Sequence, residues 1–229
     1  MRPSDIQIHP EGFVFAFFSA IGTLLLWWLF YPLGVVGLLI TLWILWFFRN
    51  PPRVTPQTAG AIISPADGVV CAISPKVSAP EATGLSGKDW TRVCIFMDVV
   101  DVHINRMPIN GKVIHNSHKA GKFFDARLDK SSEENEQQIL VIEEKNKKCT
   151  LPFVQIAGLL ARRIRCDVDL EDKVVAGQRF GLIRFGSRVD VYLPKGVTPQ
   201  VIKGQTTVAG ETILGNYLSD QPPVQGISS

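Results

Sequence analysis

No part of this chain constrains its fold more than residues 13–48, FVFAFFSAIGTLLLWWLFYPLGVVGLLITLWILWFF, which carry no formal charge. A helix needs about 20 apolar residues to cross the hydrocarbon core of a bilayer, and this stretch far exceeds that. Pro32 and Gly34 lie near its middle, and proline removes a backbone donor and breaks a helix. The pattern predicts two apolar helices, near 13–31 and 35–48, joined by a tight turn at Tyr31-Pro-Leu-Gly34. The second is short for a span, so a hairpin dipping into the bilayer fits as well as two crossings. Trp27, Trp28, Trp43 and Trp46 suit an interfacial belt. A cleaved signal peptide would have a core of about 7–15 apolar residues and a small-residue cleavage site. Here the longer core runs into Arg49-Asn-Pro-Pro-Arg53 instead. A hairpin puts Arg2, Arg49 and Arg53 on one side of the membrane, which the positive-inside rule makes the cytoplasm. The expected organisation is an apolar membrane-associating hairpin over 1–53 and a catalytic domain over 54–229, at the cytoplasmic face of the cell membrane.

Residues 1–48 hold only Arg2, Asp5 and Glu11 as formal charges; the whole chain is +3, so residues 49–229 carry +4. No dense Lys/Arg stripe with interleaved aromatics accompanies that mild basicity, which argues against a nucleic-acid partner. The basic clusters at Lys145, Lys147, Lys148 and at Arg162, Arg163, Arg165 read as ordinary surface or as contacts to anionic lipid. Cys71, Cys94, Cys149 and Cys166 have no C-x-x-C spacing and read as small buried apolar residues. No metal site is expected.

Beyond residue 60 the chain reads as many short strands rich in Val, Ile and Phe, punctuated by Gly, Pro, Asn and Asp. Candidates are 61–63, 68–73, 92–97, 112–115, 139–144, 149–156, 162–166, 179–185, 188–193, 199–203 and 206–214. No long run with helical period follows residue 50. The expected fold is therefore mainly β, a barrel or sandwich-like catalytic domain preceded by the helical hairpin. The segment 125–138, DARLDKSSEENEQQ, is the most polar in the chain and reads as a solvated loop.

Three short stretches carry residues suited to chemistry. Ser64-Pro-Ala-Asp67-Gly68 is a turn by composition, with an acid at its tip. Asp98-Val-Val-Asp101-Val-His103-Ile-Asn-Arg106-Met-Pro108 surrounds a histidine with two acids and an arginine, neighbours able to orient an imidazole. Arg184-Phe-Gly186-Ser187-Arg188-Val-Asp190 places a Gly-Ser pair between two strand candidates. It is not the G-x-S-x-G elbow of a hydrolase, since Arg188 and Val189 follow the serine. By residue type alone, a Ser187/His103 hydrolase and a non-enzymatic tethered β-domain remain open. The Gly-punctuated stretch VIKGQTTVAGETILG at 201–215 suits the second.

Read in order, five blocks resemble the phosphatidylserine decarboxylase family, in particular its short, membrane-associated bacterial branch. They are IHPEGFV at 8–14, SPADG at 64–68, DVHINRMP at 101–108, GKFFDARLDKSSEENE at 121–136 and RFGSRVDVYLP at 184–194. Several motifs in agreement are far more specific than any one. The resemblance implies a proenzyme that cuts itself between Gly186 and Ser187 into chains 1–186 and 187–229, which stay together as a heterodimer. Ser187 would attack the Gly186 carbonyl and end as a covalent pyruvoyl group, the cofactor. Its ketone would form a Schiff base with the amine of phosphatidylserine and act as the electron sink for loss of carbon dioxide, giving phosphatidylethanolamine. No free cofactor or metal would be needed. Asp67 would belong to the self-processing machinery, His103 would do acid/base work, and Asn135 and Glu136 would line the head-group site. The longer branch of the family has a second histidine where this chain has Arg106, and arginine cannot act as a base. Either His103 then serves both self-cleavage and decarboxylation, or Asp67 acts more directly.

Overall fold

The structure, a computed structural model, describes residues 7–87, 89–122, 124, 134–158, 163–184, 186–219, 221–224 and 226. Arg2, Arg162, Phe185 and most of the polar segment, 125–133, lie outside them. The chain forms two compact units, Met1–Pro52 and Arg53–Ser229.

In the first unit, β1 (Gln7–Ile8) pairs antiparallel with β2 (Arg49–Asn50), and between them run α1 (Pro10–Leu29) and α2 (Tyr31–Phe47). His9 caps α1 by accepting the Glu11 N–H on Nδ1 at 3.3 Å, and Pro10 begins the helix, a position where its missing donor costs nothing. The break comes at Phe30, which is extended (φ −159°, ψ 113°), and not at Pro32. Pro32 sits in the first turn of α2, where no N–H is needed. Gly34 is required by packing: a Cβ there would lie 2.7 Å from the Trp27 Cα. Gly37 meets Thr23 in the same way. Along this seam Ser19 Oγ and Thr41 Oγ1 are 2.8 Å apart, and Thr23 and Thr41 hydroxyls 3.2 Å. Small residues and shared hydroxyls are how helices join where the surroundings are apolar. The outward side chains are exposed, Trp28 at 86% and Leu24 at 69%. Of the two helices, α1 is long and apolar enough to cross a membrane, and α2 is shorter.

The second unit is mainly β, as the strand pattern predicts. Its first strands are β3 (Ala61–Ile63), β4 (Gly68–Val77), β5 (Trp90–Met97), β6 (Ile104–Arg106), β7 (Gly111–Lys119) and β8 (Gln137–Glu143). Then come β9 (Thr150–Ala157), β10 (Ile164–Cys166), β11 (Lys173–Val174), β12 (Arg179–Ile183), β13 (Ser187–Leu193), β14 (Thr206–Thr207) and β15 (Ile213–Asn216). An eight-stranded antiparallel sheet in the order β11-β7-β8-β9-β13-β5-β4-β14 curls into a half-barrel. Beside it are a three-stranded sheet, β10-β12-β6, and the pair β15-β3. One core joins them all, with Ile62, Val70, Ile95, Leu140, Phe153, Phe180, Val189 and Leu214 buried together. Each such side chain contributes about 1.5–3 kcal/mol by leaving water. Phe153 and Phe180 meet edge to face at 5.4 Å.

Most predicted strands are present, several of them longer. Two differ for local reasons. Residues 199–203 form no strand; Gly204 there reaches the Val70 carbonyl through a turn. The run 206–214 is split, because Gly210 has φ +79° and Thr212 closes a turn back on Val208. The sequence reading lacks β6, whose Ile104-Asn105-Arg106 is buried at every position and so shows no alternation. Cys94 and Cys149 are buried and Cys71 and Cys166 half-buried, all four free; burial pushes the Cys149 thiol up to about 12.

Candidate active site

The turn between β3 and β4 is built by its own side chains. Ser64 Oγ donates to the Ala66 carbonyl at 2.8 Å. Gly68 has φ +137°, and a Cβ there would fall 2.1 Å from the Phe96 carbonyl oxygen, so only glycine lets β4 leave the turn against β5. Asp67 at the tip accepts from Arg53 Nη2 at 2.7 Å and from the Ala209 N–H at 2.7 Å. Both partners of the ion pair are mostly shielded, 13% and 14% exposed.

Arg106 is close enough to feel this pair. Burial first, then the charges of Arg179 and Arg53, push its guanidinium down to about 10, while Asp67 and Glu211 pull the other way. It remains a cation at neutral pH and donates to the Gly177 carbonyl at 2.9 Å. Arg106 therefore brings a fixed positive charge, tied to the turn at Gly177, to this part of the site.

The turn and the histidine segment are stapled together. The Arg106 N–H and the Asn105 side-chain amide both donate to the Pro65 carbonyl, at 2.9 and 3.3 Å. Upstream, Asp98 and Asp101 close a turn on each other, Asp101 Oδ2 accepting the Asp98 N–H at 2.8 Å. The main-chain carbonyl of Asp101 lies 3.0 Å from His103 Nδ1. A carbonyl only accepts, so Nδ1 carries the proton and Nε2 is left as a lone pair. That lone pair accepts the Gly186 N–H at 3.2 Å. His103 is 2% exposed. His9, His115 and His118 are elsewhere engaged: His9 caps α1, His115 meets Ser117 Oγ at 2.8 Å, and His118 meets Glu136 at 3.0 Å.

Gly186 and Ser187 stand at the entry to β13, the strand with β9 and β5 on either side. Ser187 pairs with Ala157 on one and Met97 on the other. Gly186 has φ +67°, and among the described residues a Cβ there would meet nothing within 4 Å. What the position asks of glycine is its backbone conformation rather than its small size, since a left-handed L-residue costs roughly 1–2 kcal/mol. Ser187 is fully buried, and among the described residues its hydroxyl oxygen has no hydrogen-bond partner. A buried unsatisfied group costs about 1–3 kcal/mol, and in a native site it calls for an explanation, of which a catalytic role is one. On the other face of β13, Arg188 and Asp190 form a two-pronged buried pair at 2.8 and 3.1 Å. Burial works against the Arg188 charge, but Asp190 outweighs it and holds the guanidinium above its ordinary value.

The geometry thus brings Gly186, Ser187 and His103 together. Asp67 reaches the same region through the Pro65 staple, held by Arg53 and Ala209. Asn135 donates to the Ala157 carbonyl at 2.7 Å and exchanges bonds with the Phe124 main chain at 2.8 and 2.9 Å. Glu136 accepts from His118, and its carbonyl takes the Ala157 N–H. Both therefore border Ser187 through its strand partner. Sequence reasoning missed Asn105 and Gln155, both fully buried; the signal was an amide inside the apolar run LPFVQIA. Among the described residues no three His, Cys, Asp or Glu side chains gather as a metal site.

Residues 40–215 match the family model described as phosphatidylserine decarboxylase. A phosphatidylserine decarboxylase proenzyme from Beijerinckia indica is 48% identical over 94% of this chain and 91% of its own length. One from Paramagnetospirillum magneticum is 48% identical over 96% of this chain and 90% of its own.

Proposed function

The chain belongs to the phosphatidylserine decarboxylase family, and from that premise we propose that it converts phosphatidylserine to phosphatidylethanolamine, using a pyruvoyl group that it makes from Ser187. The observation that carries this reading is the unpartnered, fully buried Ser187 hydroxyl next to Gly186, whose N–H is bonded to His103. An orphaned oxygen beside a left-handed glycine fits a serine that exists to be consumed, and residue 187 is where the group would be attached.

Self-cleavage follows from these atoms. Ser187 Oγ attacks the Gly186 carbonyl carbon, and its proton passes to His103 Nε2 as that atom releases the Gly186 N–H. The peptide C–N bond opens and the proton returns to the nitrogen of residue 187, leaving an ester. A base then removes the α-proton of residue 187. The Cβ–Oγ bond breaks and Gly186 departs as a carboxylate. Water displaces ammonia from the resulting dehydroalanine after its tautomerisation, which leaves the ketone. A pyruvoyl group at residue 187 would supply a ketone able to take up the substrate amine and the electrons of the bond to the departing carboxylate. His103 has Nδ1 anchored and Nε2 as its working atom, suited to deliver a proton to the substrate α-carbon. Asp67 steadies the turn that carries the Pro65 staple. Asn135 and Glu136 border the head-group site from just before β8, against the end of β9.

The two products, 1–186 and 187–229, would stay together without a covalent link. β13 runs between β5 and β9 from Ser187 to Leu193, and β14 and β15 pair with β4 and β3. A lipid substrate suits the exposed apolar face of α1, since large exposed apolar surfaces mark membrane contact. With Arg49 and Arg53 after the helices, the catalytic domain lies at the cytoplasmic face of the cell membrane.

Purified full-length protein mixed with vesicles containing phosphatidylserine labelled in its carboxylate should release labelled carbon dioxide and form phosphatidylethanolamine. Cleaved protein that leaves the lipid untouched would overturn the substrate assignment.

A further inference from the structure

Ser187 is not alone in lacking a partner. Gln155, also fully buried, has an Oε1 with no hydrogen bond among the described residues. Its amide orientation is set by a chain of contacts. The Asn105 Nδ2 faces the Pro65 carbonyl at 3.3 Å and the Met97 sulfur at 3.5 Å. A carbonyl is only an acceptor, so Asn105 must turn Oδ1 the other way. That oxygen takes the Gln155 Nε2 at 2.7 Å, which leaves Gln155 Oε1 as the free acceptor.

The register places the two orphans side by side. Ser187 opposes Ala157 and Val189 opposes Gln155, so Ser187 and Gln155 are diagonal neighbours on one face of adjacent strands. Diagonal Cβ atoms lie about 7–8 Å apart, within reach of a long side chain. One buried atom is a donor without an acceptor, the other an acceptor without a donor. The two are not bonded in this structure.

We propose that Gln155, held by Asn105, is a positioning residue for self-cleavage: its Oε1 accepts the Ser187 hydroxyl and sets the rotamer from which a lone pair on Oγ faces the Gly186 carbonyl. The inference rests on the self-cleavage reading above. The bonds made and broken are those already given. Gln155 takes no proton, because an amide oxygen is too weak a base. The bond to Gln155 belongs to the resting state; as the C–O bond forms and Oγ becomes acidic, the single O–H leaves Gln155 Oε1 and its proton passes to His103 Nε2.

A double-mutant cycle tests this on the full chain in membranes, reading the conversion of intact precursor to two fragments over time by gel and intact mass. Gln155→Met preserves length and bulk but removes the acceptor together with the donor to Asn105 Oδ1, a loss common to both backgrounds. It should slow cleavage about tenfold in the chain with Ser187, the worth of one hydrogen bond. In the S187C background, where a thiol is a poor hydrogen-bond donor, Q155M should change the rate by less than about threefold. Equal slowing in both backgrounds would make Gln155 a packing residue and overturn the proposal. Unchanged cleavage of Q155M with Ser187 present would overturn it as well. Absence of cleavage in the unsubstituted chain would instead bring down the self-cleavage reading itself.

Discussion

Ser187→Ala should leave one uncut chain of full length, with no decarboxylase activity and no loss of folded stability. The first two outcomes follow from removing the only atom proposed to attack Gly186. The third follows from the structure: the hydroxyl makes no hydrogen bond, so its deletion breaks none and lifts a penalty of about 1–3 kcal/mol. Most substitutions at a fully buried strand position destabilise, so a urea midpoint no lower than that of another uncut variant would be distinctive. Ser187→Cys should still cut, since a thiol also attacks. Ser187→Thr keeps a nucleophile but adds a methyl to a position with no exposed surface, where overpacking costs about 1–3 kcal/mol. Any ketone it forms would carry that extra carbon. Two bands from Ser187→Ala would remove the serine from the mechanism.

His103→Gln has the next largest effect. The amide preserves bulk and can still accept the Gly186 N–H, but it cannot hold a proton taken from Oγ. General acid–base groups contribute about 10²–10⁴-fold, so precursor should persist for at least about a hundred times longer than in the unsubstituted chain. Asp67→Asn separates the alternatives that Arg106 raises. The substituted side chain would keep an acceptor for the Ala209 N–H and lose its charge toward Arg53 and Arg106. If Asp67 steadies the turn, this variant cuts slowly but measurably. A chain that cuts normally with His103→Gln and not at all with Asp67→Asn would reverse the two roles.

Much of this arrangement was readable in the residues. Alternation and turn residues marked most strands, because a curled sheet with a single core repeats one local rule along each strand. The family resemblance singled out Gly186, Ser187 and His103, and the fold then sets the His103 ring on the Gly186 N–H, one residue from the serine. Other features depend on tertiary contacts. The helix break fell at Phe30 because a proline in the first turn of α2 is harmless, and only the packing of Gly34 on Trp27 explains why that glycine is there. β6 was hidden because both its faces are covered. The Asn105–Gln155 pair needed the tertiary fold: 50 positions apart in sequence, the two amides meet only when β9 and β6 are folded against the same core.

The most direct test of the account is the intact mass of the 187–229 fragment. Cleavage with formation of the ketone predicts a fragment lighter, by one ammonia, than the same sequence beginning with serine, and an amino terminus closed to stepwise degradation. A fragment with a free N-terminal serine, or an uncut chain that still decarboxylates phosphatidylserine, would contradict it.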